Sequence, residues 1–538
     1  MGIIDFSVVL VYFIAMAAMG VYCSKKNTST EQYFVGGRSF KGWIVGISLI
    51  GAAFSSVTVI AFPADAFKTN WVRFTPHMAI LLVVFIASRV ILPFFRRGKI
   101  TSVYEYLGNR FGYPIRLYGS LTFVIIQLMR NSIILYLVSL LVYQITGLDP
   151  MICVIVSGFF VAFYTIIGGI DAVIWTDVVQ TIVFLAGGIL CLVMIVAKLP
   201  GGLSQVFSIA MTDHKFAFDV IQNDAIQSAS WKLSLSEKTI TMMFIFGVFG
   251  YLTEYCGNQI IVQRYCTSSS TKEARKAMWI CAFSSLPIWA FYMFTGTSLY
   301  AFFKVFPVPE ATEMLTGTRP AEQVLPFFIT NYLPTGVKGI VIAAALAAAM
   351  STLSASINSI STVCVVDIYK KYFAKNKSDK HCLKVAWLIA LLTGLLLIVG
   401  ALILFKTKSN TLQDTYNILI SLISGGLLGI FLFGFFTTKG DSRAVGLGIV
   451  CTLMFTAWAT LSVYGWLPDF LKVPFDTYYT MIIGNIIMFS VGYVAGCLLP
   501  RKHRDLTNLT VWTQDGKPID SICSADISNG RFCKLNSE

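Results

Sequence analysis

Apolar runs of about twenty residues recur along the whole 538-residue chain. A helix of that length crosses roughly 30 Å of hydrocarbon. Backbone groups in lipid must bond to one another, which favours helices, and the alternating segments of about ten residues that mark a membrane barrel are absent. The pattern predicts an all-α polytopic protein of the lipid bilayer with about thirteen transmembrane helices, at 3–23, 42–67, 74–95, 118–145, 150–169, 171–198, 239–263, 276–303, 335–362, 384–405, 413–437, 443–466 and 477–499.

The distribution of charge predicts the orientation. Charged residues make up 13% of the chain against 56% apolar residues, a ratio at which no soluble chain of this length could bury its apolar surface. The formal charge of +14 lies in short loops on one predicted side, so nucleic acid is not an expected partner. By the positive-inside rule these loops are cytoplasmic, which puts the N-terminus outside and the C-terminus inside a plasma (inner) membrane. The loops include Arg96, Arg97, Arg110, Arg264, Arg275, Lys370, Lys371, Lys439 and Arg443.

Two predicted spans are interrupted by glycine, proline and polar residues. The second span carries Gly51 and Pro63 around the polar run 55–58, and the seventh carries Gly257 beside Glu254. The two spans lie five apart, as corresponding helices of an inverted five-helix repeat would. Discontinuous helices of such repeats form solute sites near the middle of the membrane, so we expect a solute site between these two spans.

The ninth span contains a run of small and hydroxyl residues. Ala348, Ser351 and Thr352 stand at i, i+3 and i+4 and therefore share one helical face. One carbonyl and two hydroxyls form a neutral, hard set of oxygens that suits Na⁺, provided that the helix bends enough to free the Ala348 carbonyl. The alternative is that both hydroxyls bond their own backbone or a neighbouring helix.

Ionisable residues inside predicted spans are the other functional signal, because an unpaired charge at mid-membrane is costly. Arg130 lies centrally in the fourth span, Asp177 early in the sixth and Glu254 in the seventh. They are candidates for binding a solute or an ion. A structural alternative is that Arg130 and Glu254 simply pair with each other.

Four segments resemble the sodium/solute symporter family, in the order in which they occur there: 48–58, 168–180 (GGIDAVIWTDVVQ), 258–264 (NQIIVQR) and 343–369. The resemblance covers about residues 5 to 499. It implies a LeuT-type transport core at 42–437, made of inverted repeats at about 42–198 and 239–437. The first span and loop, 1–41, would precede this core, and two additional C-terminal spans at 438–499 and a cytoplasmic tail at 500–538 would follow it.

The resemblance also implies sodium ligands. The co-transported Na⁺ would be bound by backbone oxygens of Gly51, Phe54 and Ala348 and by the hydroxyls of Ser351 and Thr352. A second Na⁺, bound in some members, would use Asp177 and Ser354 together with Ser351. Ala355 stands where those members have a further serine.

Segments 55–71 and 100–107 resemble the bacterial sialic acid symporters within the family. In that branch a fourth-span arginine pairs with the solute carboxylate, and Arg130 stands at the matching place. Ser55 and Thr58 match polar solute contacts, whereas His77 replaces a glutamine. Glu254 stands where the neutral-sugar branch has an aromatic gate, which makes a neutral sugar the less favoured solute.

The sequence therefore predicts a secondary active transporter, not an enzyme, because the short loops and small tail offer no catalytic domain. It would couple Na⁺ to the symport of a small, anionic solute, with a carboxylated sugar such as sialic acid favoured, and would work as a monomer. The alternatives are a neutral sugar or a monocarboxylate as the solute, or proton-coupled transport through Glu254.

Overall fold

The computed structural model describes most of the chain. The predicted tail 500–538 lies largely outside the described residues, and so does 413–425 of the predicted eleventh span. The described residues are 2–25, 28–98, 100–218, 220–222, 225–227, 231–234, 239–374, 377–406, 426–463, 465–476, 478–500 and 505–514.

Helices dominate the described residues, and the all-α prediction is confirmed apart from one short hairpin. Strands β1 (Val220–Gln222) and β2 (Ala225–Gln227) pair antiparallel. The α-helices are α1 (Ile3–Ser24), α2 (Thr30–Val35), α3 (Gly42–Ala53), α4 (Ser56–Lys68), α5 (Ile80–Ile86), α6 (Leu92–Arg97), α7 (Tyr104–Phe111), α8 (Tyr113–Thr146), α9 (Pro150–Ala197), α10 (Gly202–Thr212), α11 (Ile240–Gly257), α12 (Gln259–Cys266), α13 (Thr271–Val305), α14 (Pro309–Thr316), α15 (Val324–Tyr332), α16 (Val337–Val363), α17 (Asp379–Lys406), α18 (Leu427–Phe436), α19 (Ser442–Val463) and α20 (Tyr479–Leu498).

Short helical segments of other types connect or extend these helices. The 3₁₀ segments are Gly36–Arg38, Val72–Ala79, Ala321–Gln323, Asp469–Leu471 and Val511–Thr513, and the π-helical segments are Ala87–Ile91 and Cys364–Phe373.

Among the described residues, 10 helical segments are long and apolar enough to cross a membrane, and the bent pair α3 and α4 makes up to 11. The longest, α9, contains two of the predicted spans. They meet at Gly169, whose φ of 58° lies in the left-handed region that glycine adopts without strain. The protein is therefore a multi-pass membrane protein, as predicted.

Helix α16 lies at the centre of the bundle. It packs against α9, α8, α1 and α17. Of its most apolar 18 residues 94% are buried, against 28% for α1. A helix that is enclosed on all sides can hold polar side chains only if they are bonded within the protein, so the hydroxyls of α16 must find partners in its neighbours.

Helix α13 approaches the second half of the bent pair closely. A Cβ on Gly296 would lie 2.1 Å from the Pro63 carbonyl oxygen of α4, too close without a backbone shift. We expect Gly296→Ala to destabilise the protein by about 2 kcal/mol or more and to lower its melting temperature in detergent. Gly446→Ala in α19 is the matched control, because a Cβ there meets no atom within 4 Å. Equal melting temperatures for both variants would contradict this packing.

Candidate functional site

The predicted break in the second span lies between α3 and α4. Phe54 (φ −100°, ψ 128°) and Ser55 are extended, and the two helices are bent by 59°. The Ser55 hydroxyl accepts from the Val57 N–H at 3.2 Å and so caps the first turn of α4. Because the helix stops here, carbonyl oxygens at the end of α3 have no helical N–H donor and are available to other partners.

The C-terminal end of α3 lies against the hydroxyl face of α16. The Thr352 hydroxyl donates to the Phe54 carbonyl at 3.1 Å and to the Ala348 carbonyl, in its own helix, at 3.3 Å. A Cβ on Gly51 would lie 2.8 Å from the Ser351 hydroxyl oxygen. The structure thus brings together all five residues that the family resemblance assigned to Na⁺, and it shows Thr352 bonded to its own helix and to a neighbouring one, as the alternative for these hydroxyls had it. Their binding of the ion stays a prediction.

A buried ion pair lies directly beside this group. Asp177 and Arg264 have fully buried side chains, and their Oδ2 and Nη2 atoms are 2.8 Å apart. Ser48 donates to the same Asp177 oxygen at 2.6 Å, and Ser351 donates to the other at 2.5 Å. Ser354, the other residue predicted for a second Na⁺, donates to the Ser351 carbonyl at 3.0 Å.

The predicted loop position of Arg264 is wrong. The seventh span was expected to end at residue 263, but α12 continues to Cys266 and buries the Arg264 side chain completely. A local signal was present: an acid early in the sixth span needs a cation, and Arg264 is the only base within the resembling segment 258–264. Arg96 and Arg110, also counted as loop residues, are buried and donate to backbone carbonyls, such as those of Ser268 and Thr437.

The five residues predicted to contact the solute line one cavity of about 270 Å³. Ser55 and Thr58 come from the start of α4, and His77 from the 3₁₀ segment before α5. Arg130 comes from the middle of α8, and Glu254 from the last turn of α11. Thr352 lines the same cavity, so the cavity reaches the oxygen group that contains the Phe54 carbonyl.

One wall of the cavity is aromatic. The His77 ring stacks on Trp289 with 4.0 Å between centroids, and its Nδ1 lies 2.6 Å from the Tyr251 hydroxyl. Phe62 completes this wall. The sequence did not single out Tyr251 or Trp289. Tyr251 stands three residues before Glu254 on α11, a spacing that indicates a shared face, whereas nothing local marks Trp289 in α13.

The two charged residues of the cavity face each other. Arg130 Nη1 lies 3.9 Å from Glu254 Oε1, and their side chains are 29% and 39% exposed. The Glu254 carboxylate also accepts a short hydrogen bond from the Asn258 amide. The pairing foreseen as an alternative is therefore present, at the long end of the range for an ion pair. Both side chains nevertheless remain accessible from the cavity.

Known proteins match this chain over most of its length. The model of the sodium:solute symporter family matches residues 33–447. The sodium/sialic acid symporter SiaT of Proteus mirabilis is 31% identical over 84% of this chain and 88% of its own. The sodium/sialic acid symporter NanT of Aliivibrio fischeri is 29% identical, covering 92% and 93%. The sodium-coupled monocarboxylate transporter 1 of Mus musculus is also 29% identical, covering 89% and 77%.

A solved structure shares the fold. The substrate-bound, outward-open structure of a Na⁺-coupled sialic acid symporter superposes with a TM-score of 0.84 at 29% identity, covering 94% of this chain and 100% of that one. The transporter Mhp1 of the nucleobase-cation-symport-1 family shares the fold, with a TM-score of 0.54 at 14% identity. The matches are to transporters and not to enzymes. This chain belongs to the sodium:solute symporter family and couples the symport of its solute to Na⁺.

Proposed function

We propose that the protein takes up a small carboxylated solute together with Na⁺, and that sialic acid is the first candidate. The observation that carries the proposal is the position of Thr352, which lines the solute cavity and also donates to the Phe54 carbonyl. Ion and solute would therefore share one residue and one helix break. Two relatives at 31% and 29% identity are sodium/sialic acid symporters, which supports the choice of solute.

Na⁺ would be bound by five neutral oxygens: the carbonyls of Gly51, Phe54 and Ala348 and the hydroxyls of Ser351 and Thr352. Hydroxyl and carbonyl oxygens are the ligands that hard cations prefer. On binding, Thr352 would turn its lone pairs towards the ion instead of donating to Phe54 and Ala348. No titratable side chain belongs to this set, which favours Na⁺ over H⁺ as the driving ion.

The contacts of Asp177 and Ser354 disfavour a second Na⁺ beside the first. The Asp177 carboxylate already pairs with Arg264 and accepts from Ser48 and Ser351. A guanidinium supplies the positive charge that a second ion would bring. Ala355 offers no hydroxyl to complete the shell. One Na⁺ per transported solute is the stoichiometry that these contacts favour.

The solute carboxylate would bind Arg130, whose planar guanidinium can donate two parallel hydrogen bonds. Ser55 and Thr58 would contact polar groups of the solute beside it. The stacked rings of His77 and Trp289 would cover its apolar face. These roles are supported by the common cavity and by the mixture of a polar end and an aromatic wall that binding sites for small solutes use.

Coupling would follow from the bend between α3 and α4. Na⁺ bound to Phe54 and Thr352 would hold the end of α3 against α16, and this would fix Ser55 and Thr58 for the solute. The effect must be reciprocal, so bound solute should tighten Na⁺ by the same factor. Each charge that crosses the membrane down the potential supplies about 2.3 kcal/mol per 100 mV.

For the whole chain we propose a monomer in the inner (plasma) membrane, with the N-terminus outside and the C-terminus in the cytoplasm. The excess of lysine and arginine in alternate loops supports this orientation. The transport core would comprise residues 42–437, with the repeats at about 42–198 and 239–437. The break at Phe54 in the first repeat and the break at Asn258 in the second support these repeats.

Uptake into proteoliposomes tests the proposed function. We expect labelled sialic acid to accumulate in the vesicles under an inward Na⁺ gradient, and not when choline replaces the external Na⁺. Other sugar acids, monocarboxylates and neutral sugars form the comparison panel. A pH step in sodium-free buffer tests the alternative of proton coupling through Glu254. Accumulation driven by that step, with no response to Na⁺, would contradict the sodium assignment.

A further inference from the structure

We propose that Glu254 is a specificity residue, and that the cavity prefers a solute that carries a protonated amine close to its carboxylate. The proposal rests on the proposed function, in which Arg130 binds the carboxylate. It concerns the second charge of the cavity, the Glu254 carboxylate, for which a purely anionic solute offers no compensating positive charge.

The cavity has a positive part. Arg130 points into it from α8, and Ser55, Val57 and Thr58 line it from the first turn of α4. The N-terminal turn of a helix carries partial positive charge from its N–H groups. A solute carboxylate would therefore be stabilised by the Arg130 guanidinium and by the partial positive charge at the N-terminus of α4.

The cavity also has a negative part. Glu254 and Tyr255 line it from the last turn of α11, where the helix carries partial negative charge from its carbonyl groups. Asn258 orients the Glu254 carboxylate through its amide, while its side-chain oxygen accepts from the Ile260 N–H at 3.0 Å and caps α12. Asn258 thus accepts from one of the N–H groups at the N-terminus of α12. The Glu254 carboxylate remains the main charge in this part of the cavity.

The distance between the two parts fits a dipolar solute. Arg130 and Glu254 are 3.9 Å apart at their nearest atoms, so a carboxylate that binds Arg130 lies within a few ångströms of the Glu254 carboxylate. A simple anion would face repulsion there and would leave the cavity with net negative charge. An ammonium group next to the solute carboxylate would replace Arg130 as the partner of Glu254. Hydroxyl or amide donors would satisfy the same carboxylate, but without compensating its charge.

Pairs of acids that carry the same amine either free or acetylated test this proposal, and the Glu254→Gln variant separates the effect of the charge from that of the added acetyl group. Muramic acid and N-acetylmuramic acid form one pair, and serine and N-acetylserine form a smaller one. Solute-stimulated ²²Na⁺ uptake into proteoliposomes reports on each without a labelled solute. We expect the free amine to have a half-saturating concentration at least tenfold lower than the acetylated acid in the pair that fits the cavity. Glu254→Gln should remove this preference, and Glu313→Gln, on an exposed residue outside the cavity, should keep it.

The outcomes separate the two claims. If none of these probes, nor sialic acid, stimulates ²²Na⁺ uptake, the proposed function fails, and this inference fails with it. If sialic acid or an acetylated acid stimulates uptake and the free amines do no better, the inference alone is overturned. A preference for the free amine that persists in Glu254→Gln would also overturn it, because the amine would then be recognised by another group.

Discussion

Replacing Ser351 and Thr352 together by alanine should abolish the sodium dependence of uptake. The double variant removes both hydroxyls from the proposed ion site and leaves the carbonyls of Gly51, Phe54 and Ala348, which are too few ligands for Na⁺. Thr352→Ala alone should raise the half-saturating Na⁺ concentration about tenfold, equivalent to about 1.4 kcal/mol. The measurement is the Na⁺ dependence of solute uptake into proteoliposomes.

Ser356→Ala is the matched control for this series. Ser356 lies on the same helix and is equally buried, but its hydroxyl donates only to the Thr352 carbonyl, one turn back, and contributes no atom to the oxygen group. Its Na⁺ dependence should remain that of the parent protein. Normal sodium-stimulated uptake by the double variant would refute the assignment of Na⁺ to this site.

Arg130→Lys should lose most of the solute uptake and retain Na⁺ binding. Lysine keeps the charge but cannot form two parallel hydrogen bonds with a carboxylate, and it frees Glu254 from its guanidinium partner. We expect the half-saturating solute concentration to rise by about ten- to a hundredfold, equivalent to about 1.4–2.7 kcal/mol, as for the loss of a charge-assisted hydrogen bond. Uptake and solute binding measured on the same preparation separate a loss of affinity from a loss of protein.

Arg89→Lys is the control for a change of cation in the membrane. The Arg89 guanidinium lies 4.1 Å from the centre of the Phe85 ring and does not line the solute cavity. Lysine can make the same cation–π contact, so uptake should be close to normal. Unchanged uptake by Arg130→Lys would remove Arg130 from the solute site and favour its pairing with Glu254 as a structural feature.

Much of the architecture was predictable because membrane spans are encoded locally. Twenty apolar residues predict a helix without knowledge of its neighbours. The breaks near Phe54 and Asn258 were also visible, since glycine and polar residues interrupt apolar runs there. The predicted boundary between the spans 150–169 and 171–198 correctly separated the two halves of α9, where Gly169 adopts a positive φ.

Contacts between distant segments were less predictable. The spacing of Ser351 and Thr352 identified a polar face, but only the fold brings that face to the Phe54 carbonyl, 298 residues away in sequence. The pair of Asp177 and Arg264 was missed because Arg264 follows an apolar run and was taken for a loop residue. Trp289 contacts His77 across helices, and such a contact leaves no periodic signal in either segment.

The proposal that Na⁺ and solute share the break between α3 and α4 is tested most directly by the solute affinity measured with and without Na⁺. The solute used would be the one that gives the largest Na⁺-driven uptake. Isothermal titration calorimetry of the purified protein would give the Kd of that solute in NaCl and in choline chloride. The converse titration would give the Kd of Na⁺ with and without the solute. We expect Na⁺ to tighten the solute at least tenfold and the solute to tighten Na⁺ by the same factor, with both effects lost in the Ser351→Ala, Thr352→Ala variant. An equal solute Kd in the two salts would show that the oxygens around Phe54 and Thr352 do not couple the ion to the cavity.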